Sequence, residues 1–241
     1  MPVDVGGIKI GGEMFIRENL YQYYSALVPN SHVNGASTIQ DISGRNEDAS
    51  SQDITWRNYY WDFDVNPSTD TSQIDFPNAG MTGNIIAQDW SWEIWFISSN
   101  LTGISGLGML GNKTSSFGWD TGNTTNTIRG GIANSSGTAF TVTSGTLSLN
   151  TWHHSVLTYN GTGDDKIRLY MNGSLTGESG AANGSFSETN VIRFGATRVL
   201  VGTQASKRWV GGIAVFRIYD RTLDADEVRY NYSCERGAFG V

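Results

Sequence analysis

Hydrophobic and polar residues alternate with a period of two along several short stretches of this chain. Trp90, Trp92, Ile94 and Phe96 fall on one face of an extended strand, with Ser91 and Glu93 on the other. Trp95 and Ile97 make that second face partly apolar, which predicts a central strand covered on both sides. Trp152 to Asn160 and Lys166 to Asn172 read as two further strands, joined by a loop over Gly161 to Asp165. In the second of them Ile167, Leu169 and Met171 face one way and Lys166, Arg168 and Tyr170 the other. Asn172-Gly173 then closes a hairpin, because both residues tolerate the positive φ of a type I′ turn. Val191 to Thr197 and Arg208 to Asp220 supply two more strands. Beyond them Asp224, with Glu227 three residues later, predicts a capped helix start; Gly237 and Gly240 keep that helix short.

Composition narrows the fold to one class. Charged residues make up 16% of the 241 positions, whereas glycine numbers 30 and tryptophan 8, a balance foreign to helical bundles and suited to strands and tight turns. No repeat or interior linker divides the chain, so the length holds one sandwich rather than two domains. The first residues differ: glycines bracket the triplet Ile8, Lys9 and Ile10, and Glu13 to Leu27 is the first stretch able to form a short helix or strand. We therefore expect an N-terminal arm over residues 1–27 and a jelly-roll body over residues 28–241. An arm of this kind either frays or lies against a partner chain, with Ile8, Lys9 and Ile10 as its assembly contacts.

Sixteen basic against 23 acidic side chains give a net charge of −7. Nucleic acid is excluded as a ligand, since phosphate binding needs a basic stripe. No apolar run approaches the ~20 residues that span a bilayer, so membrane insertion is not expected, nor does Met1 to Gly12 read as an export signal. The lone Cys234 cannot form an internal disulfide, which favours folding in a reducing compartment.

Four segments, in order, resemble the concanavalin A-like or laminin-G-like jelly rolls. They are "DISGRNEDA" from Asp41, "WDFDVNPSTDTSQIDFP" from Trp61, "TWHHSVLTYNGT" followed by "IRLYMNGSLTG", and the closing "VGGIAVFRIYDRTLDADEVRYNYSCERGAFG". The resemblance implies an all-β fold, a two-sheet antiparallel jelly-roll sandwich with one short C-terminal helix and an extended N-terminal arm. The Asp-x-Ser-Gly entry and the Arg-Gly-x-Phe-Gly exit look most like domains of tailed, especially marine, bacteriophage virion proteins. That implies a non-enzymatic capsid decoration, head fibre or tail-associated protein. Its partners would be capsid or tail subunits, its location the virion surface after synthesis in the host cytoplasm, and a homotrimer the first oligomer to test. The alternative is a lectin-like adhesion module for cell-surface polysaccharide; a glycan-degrading enzyme is the third reading.

Glucanases of this fold carry Glu-x-Asp-x-x-Glu on one strand, one glutamate acting as nucleophile and the other as acid. The chain lacks that pattern: Glu93 stands between aromatics, with Ile94 and Trp95 where partners would be. His153 and His154 are adjacent in a strand and point to opposite faces, so they cannot share a metal. Calcium is the one cofactor the fold class admits; Asp164, Asp165, Asp62 and Asp64 are the available carboxylates, but they form no dense ligand loop, and no ligand is assigned. For sugar binding, Trp119 and Asp120 in a polar, Gly-rich stretch are the candidate platform, set against the burial typical of tryptophan. Trp56, Tyr59 and Tyr60 form a second aromatic cluster, read chiefly as core or interface.

Overall fold

The computed structural model describes residues 3–5, 8–10, 15–29, 31–32, 36–63, 72–77, 88–101, 105–111, 116–121, 125–186, 192–195 and 207–241. Their strands are β1 (Val3–Val5), β2 (Ile8–Ile10), β3 (Leu20–Ser25), β4 (Thr38–Ile39), β5 (Ala49–Gln52), β6 (Thr55–Trp56), β7 (Trp61–Asp62), β8 (Gln73–Phe76), β9 (Asp89–Ser98) and β10 (Ser105–Gly111). They continue as β11 (Ser116–Thr121), β12 (Ile128–Ala133), β13 (Ala139–Thr143), β14 (Trp152–Asn160), β15 (Ile167–Met171), β16 (Ser174–Glu178), β17 (Ile192–Phe194), β18 (Lys207–Arg208) and β19 (Gly211–Tyr219). Helix α1 (Ala225–Glu235) and a 3-10 turn, Arg236–Ala238, close the chain.

Strands β3 to β19 form a two-sheet sandwich, as expected. One sheet has the order β16-β15-β14-β9-β19-β7-β6, with β3 also paired to β19; the other runs β13-β12-β11-β10-β17-β8-β5-β4. Neighbours are antiparallel except β18, which pairs parallel with β10. Alternation puts Trp90, Trp92, Ile94 and Phe96 of β9 into the core between the sheets, where they meet Phe117, Trp119, Phe194 and Phe216. The opposite face of β9 is buried too, because α1 and the segment from Phe15 lie over it: Trp95 packs with Phe15, Tyr23 and Phe239. The central, doubly covered strand predicted for Trp90 to Ile97 is thus present. Burying this much aromatic surface, at about 25 cal/mol per Å², is the principal stabilising term.

The glycine content has a packing reason at Gly108. It sits opposite Phe194 on the neighbouring strand, and a Cβ there would come within 1.8 Å of that ring's Cε1. The hairpin turn at Asn172-Gly173 also forms as predicted, with φ of 49° and 76° between the paired Met171 and Ser174. Asp224 caps α1, accepting from the backbone of Asp226 and Glu227 while Glu227 reaches back to the Asp224 N–H.

The arm is shorter than the expected residues 1–27. Leu20 to Ser25 form β3, with Tyr24 opposite Phe216 and Tyr23 opposite Arg217 on β19. Tyr24 enters the core against Phe76 at 4.6 Å between ring centroids, while Tyr23 faces the outer side against Phe15 at 4.9 Å. Apolar rings on both faces make this stretch a covered strand rather than a tether. Before it, β1 and β2 pair as a separate two-stranded sheet, with Val3 opposite Ile10. Asp41 explains the "DISGRNEDA" motif. Its carboxylate accepts from the N–H groups of Tyr23, Ser43 and Glu47 and from the Ser43 hydroxyl, tying the turn to β3. Among the described residues no helix is long and apolar enough to cross a membrane.

Candidate functional site

A buried polar network lies on the outer face of the first sheet, beneath α1. Strand register sets Glu93 of β9 directly opposite Arg217 of β19, and both are fully buried. The Glu93 carboxylate accepts from His154 Nε2 at 2.7 Å, Tyr219 Oη at 3.0 Å, Asn231 Nδ2 at 3.0 Å and Arg217 Nη1 at 3.2 Å. Because an ionised carboxylate only accepts, His154 Nε2 carries the proton. Arg217 also pairs with Glu235 of α1, which in turn accepts from Trp95 Nε1 at 2.8 Å. Phe15 lies over the guanidinium, 3.8 Å from its carbon to the ring centroid, and the Ile16 N–H donates to Asn231 Oδ1 at 2.7 Å.

These contacts fix the charge state. Burial alone would raise the Glu93 pKa, but Arg217 and the hydrogen bond from His154 outweigh it and hold the carboxyl down to about 2. Tyr219 moves the other way: burial and the neighbouring Glu93 charge push its hydroxyl well above its usual range, so it stays a donor. The folded-state pKa of Glu93 is depressed, so its contribution to stability is complete above the usual carboxyl pKa, near 4.5, and is lost as pH falls toward about 2. Denaturant melts across that window are expected to show a progressive loss that Glu93→Gln, at its lower overall stability, shows less steeply. Equal slopes for the two proteins would contradict this assignment.

The structure removes Trp119 and Asp120 as an exposed sugar platform. Both are fully buried in β11. Trp119 points into the sandwich, where its Nε1 donates to Ser155 Oγ of the opposite sheet at 3.0 Å and its ring lies 6.0 Å from Trp92. Asp120 turns to the other face and holds Arg129 of β12 through bonds of 3.0 and 2.6 Å. The polar, Gly-rich stretch is a strand, and period-two alternation drives the indole inward. On that same outer face Asp75 and Arg193 form a second bidentate pair at 2.5 and 2.6 Å.

The calcium candidates do not converge. Asp62 pairs with Arg57 at 3.0 Å, Asp164 pairs with Arg168, Asp165 accepts from Tyr159 Oη at 3.5 Å, and Asp64 lies outside the described residues. Among the described residues no group of three or more His, Cys, Asp or Glu is placed to hold a metal ion. His153 and His154 do point to opposite faces: His153 packs on Phe96 and bonds the Ser148 carbonyl at 2.9 Å, while His154 joins the Glu93 network. For Ile8, Lys9 and Ile10 the structure describes the backbone pairing of β2 alone.

Exposed aromatic surface is found elsewhere, at the tip between β6 and β7. Tyr59 there is 38% exposed and packs against Tyr60 at 5.0 Å and Trp152 at 6.2 Å. This cluster was read chiefly as core or interface; the turn geometry puts Tyr59 at the surface and leaves Trp56 and Tyr60 partly buried.

A laminin G-type family model, described as the concanavalin A-like lectin/glucanases superfamily, matches residues 68–229. The chain belongs to this superfamily. Solved structures share the concanavalin A-like fold at low identity. The botulinum neurotoxin serotype D binding domain aligns with a TM-score of 0.68 and 16% identity over 90% of this chain and 52% of that one. The binding domain of Paraclostridial Mosquitocidal Protein 1 gives 0.64 and 17% over 90% and 52%. Trypanosoma rangeli sialidase in complex with sialic acid gives 0.66 and 14% over 97% and 35%. The chain thus spans about half the length of the two binding domains and about a third of the sialidase. No curated protein matches it.

Within this concanavalin A-like frame, the Glu93 network went unseen in the sequence because its members come from four separate stretches. A signal was present nonetheless. Glu93 and Arg217 are each a lone charge flanked by large apolar residues in a predicted strand, and two opposite charges so placed on adjacent strands satisfy one another.

Proposed function

We propose that the chain is a non-catalytic recognition module of the concanavalin A-like class, a structural component of a tailed-phage particle that presents a glycan-binding surface. The observation that carries the non-catalytic part is the state of Glu93. This carboxylate has no exposed surface and is held ionised by four donors. A general acid must reach the glycosidic oxygen and hold a proton near neutral pH; Glu93 does neither. The related binding domains of two toxins support recognition as the use of this fold, although fold alone does not determine function.

The virion setting rests on the ordered motif set and on β1 and β2, which pair with neither sheet of the sandwich and suit a docking element. A lectin-like adhesion module on a cell is the alternative setting for the same recognition.

The test is binding without turnover. Purified protein incubated with bacterial surface polysaccharides is expected to bind while releasing no reducing ends. Reducing ends that disappear in Glu93→Gln would overturn the reading. For the virion role, deletion of residues 1–12 is expected to abolish incorporation into phage particles, measured by mass spectrometry of purified virions. Unchanged incorporation would count against the arm as the anchor.

A further inference from the structure

We infer that the hairpin tip Arg57 to Tyr60 is the glycan-holding surface, with one pyranose ring of a polysaccharide stacked on Tyr59; this rests on the recognition reading above. The tip is closed by the Arg57 N–H donating to the Tyr60 carbonyl at 2.9 Å, with Trp56 and Trp61 paired beneath it. Asn58 takes φ of 66°, a left-handed turn conformation that asparagine tolerates. Among the described residues the exposed large hydrophobic side chains are Tyr59, Leu149, Leu175 and Tyr230. Of these, Tyr59 is the one whose ring packs against other aromatic rings.

Those contacts immobilise the Tyr59 ring. It meets Tyr60 and Trp152, Trp152 lies 4.9 Å from Phe239, and Phe239 stacks on buried Trp95 at 4.1 Å. Tyr60 is seated on Gly212, where a Cβ would come within 2.3 Å of its Cδ2. A ring held this way loses little conformational freedom when a ligand arrives, which lowers the cost of binding.

The chemistry of the patch selects a sugar. A pyranose presents a C–H face matching one aromatic ring and hydroxyls around its edge. Arg57, with its side chain 55% exposed, and exposed Asn58 stand next to Tyr59 to meet such hydroxyls. The Arg57 Nε also donates to Asp62 at 3.0 Å, so the tip carries a compensated charge and a neutral hexose suits it. A protein partner needs about 800 Å² on each side, far more than one ring at a hairpin tip provides.

An array of bacterial O-antigen and capsular polysaccharides, followed by calorimetric titration of the strongest binder, tests this. Wild type is expected to bind, Tyr59→Phe to retain binding within about threefold, and Tyr59→Ala to lose tenfold or more. Thermal melts of both variants should stay near wild type, as an exposed side chain at a turn contributes little to stability. Binding by wild type with Tyr59→Ala unchanged would overturn the placement while leaving the recognition reading intact. Wild type binding no polysaccharide would overturn both. Equal loss in Tyr59→Phe and Tyr59→Ala would also overturn stacking, since the ring is kept in one of them.

Discussion

Replacing Arg217 with methionine is expected to destabilise the fold by about 3–5 kcal/mol, the usual penalty for removing one partner of a buried ion pair. The loss goes beyond one contact. Glu93 would remain fully buried without its guanidinium partner, Glu235 would lose its main partner on the sheet, and Phe15 would lose the cation beneath its ring. For a chain of this length that corresponds to a melting temperature lower by roughly 6–20 °C. Removing both charges separates packing from electrostatics. Glu93→Leu with Arg217→Met is expected to recover part of the loss, because no uncompensated charge then faces Val156 across the strands. Guanidinium melts of the two single variants and the double variant close the cycle. Strict additivity would mean that the two charges do not act as a pair.

Trp119→Ala is the second large effect, about 3–5 kcal/mol of stability lost by opening a cavity between the sheets. The indole contacts Trp92 and is anchored to Ser155 across the sandwich, so its removal also leaves that hydroxyl without its donor. If the protein binds polysaccharide at the β6–β7 tip, the folded fraction of Trp119→Ala keeps its affinity. Stability unchanged by the substitution would place Trp119 outside the core, contrary to the structure.

Trp119 also shows where the sequence is a weak guide. The periodicity of β9, β14 and β15 is legible because each strand is long and its alternation is written in bulky side chains. In β11 the flanking residues are Gly118, Asp120 and Thr121, small or polar groups that serve equally in loops, and the strand is defined by its neighbours β10 and β12 rather than by its own composition. Leu20 to Ser25 fails for a different reason: Tyr23 and Tyr24 are both needed, one for each face, and a doubly covered strand shows no alternation to read. The Asn172-Gly173 turn and the Asp224 cap, which are local and depend on backbone chemistry within four residues, are recovered in full. The Glu93 network was the least accessible, because β9, β14, β19 and α1 meet only after the sheet is assembled.

The pairing of β3 with β19 has a consequence for how the outer face of β9 is covered. Leu20, where the body's first strand begins, lies opposite Tyr219, where its last strand ends. The chain therefore enters β3 and leaves β19 toward α1 at one point on the sheet. The segment before β3 and the helix after β19 thus leave the sheet side by side and meet again at the Ile16–Asn231 hydrogen bond, so the outer cover of β9 is a clasp closed from both sides of the strand pair.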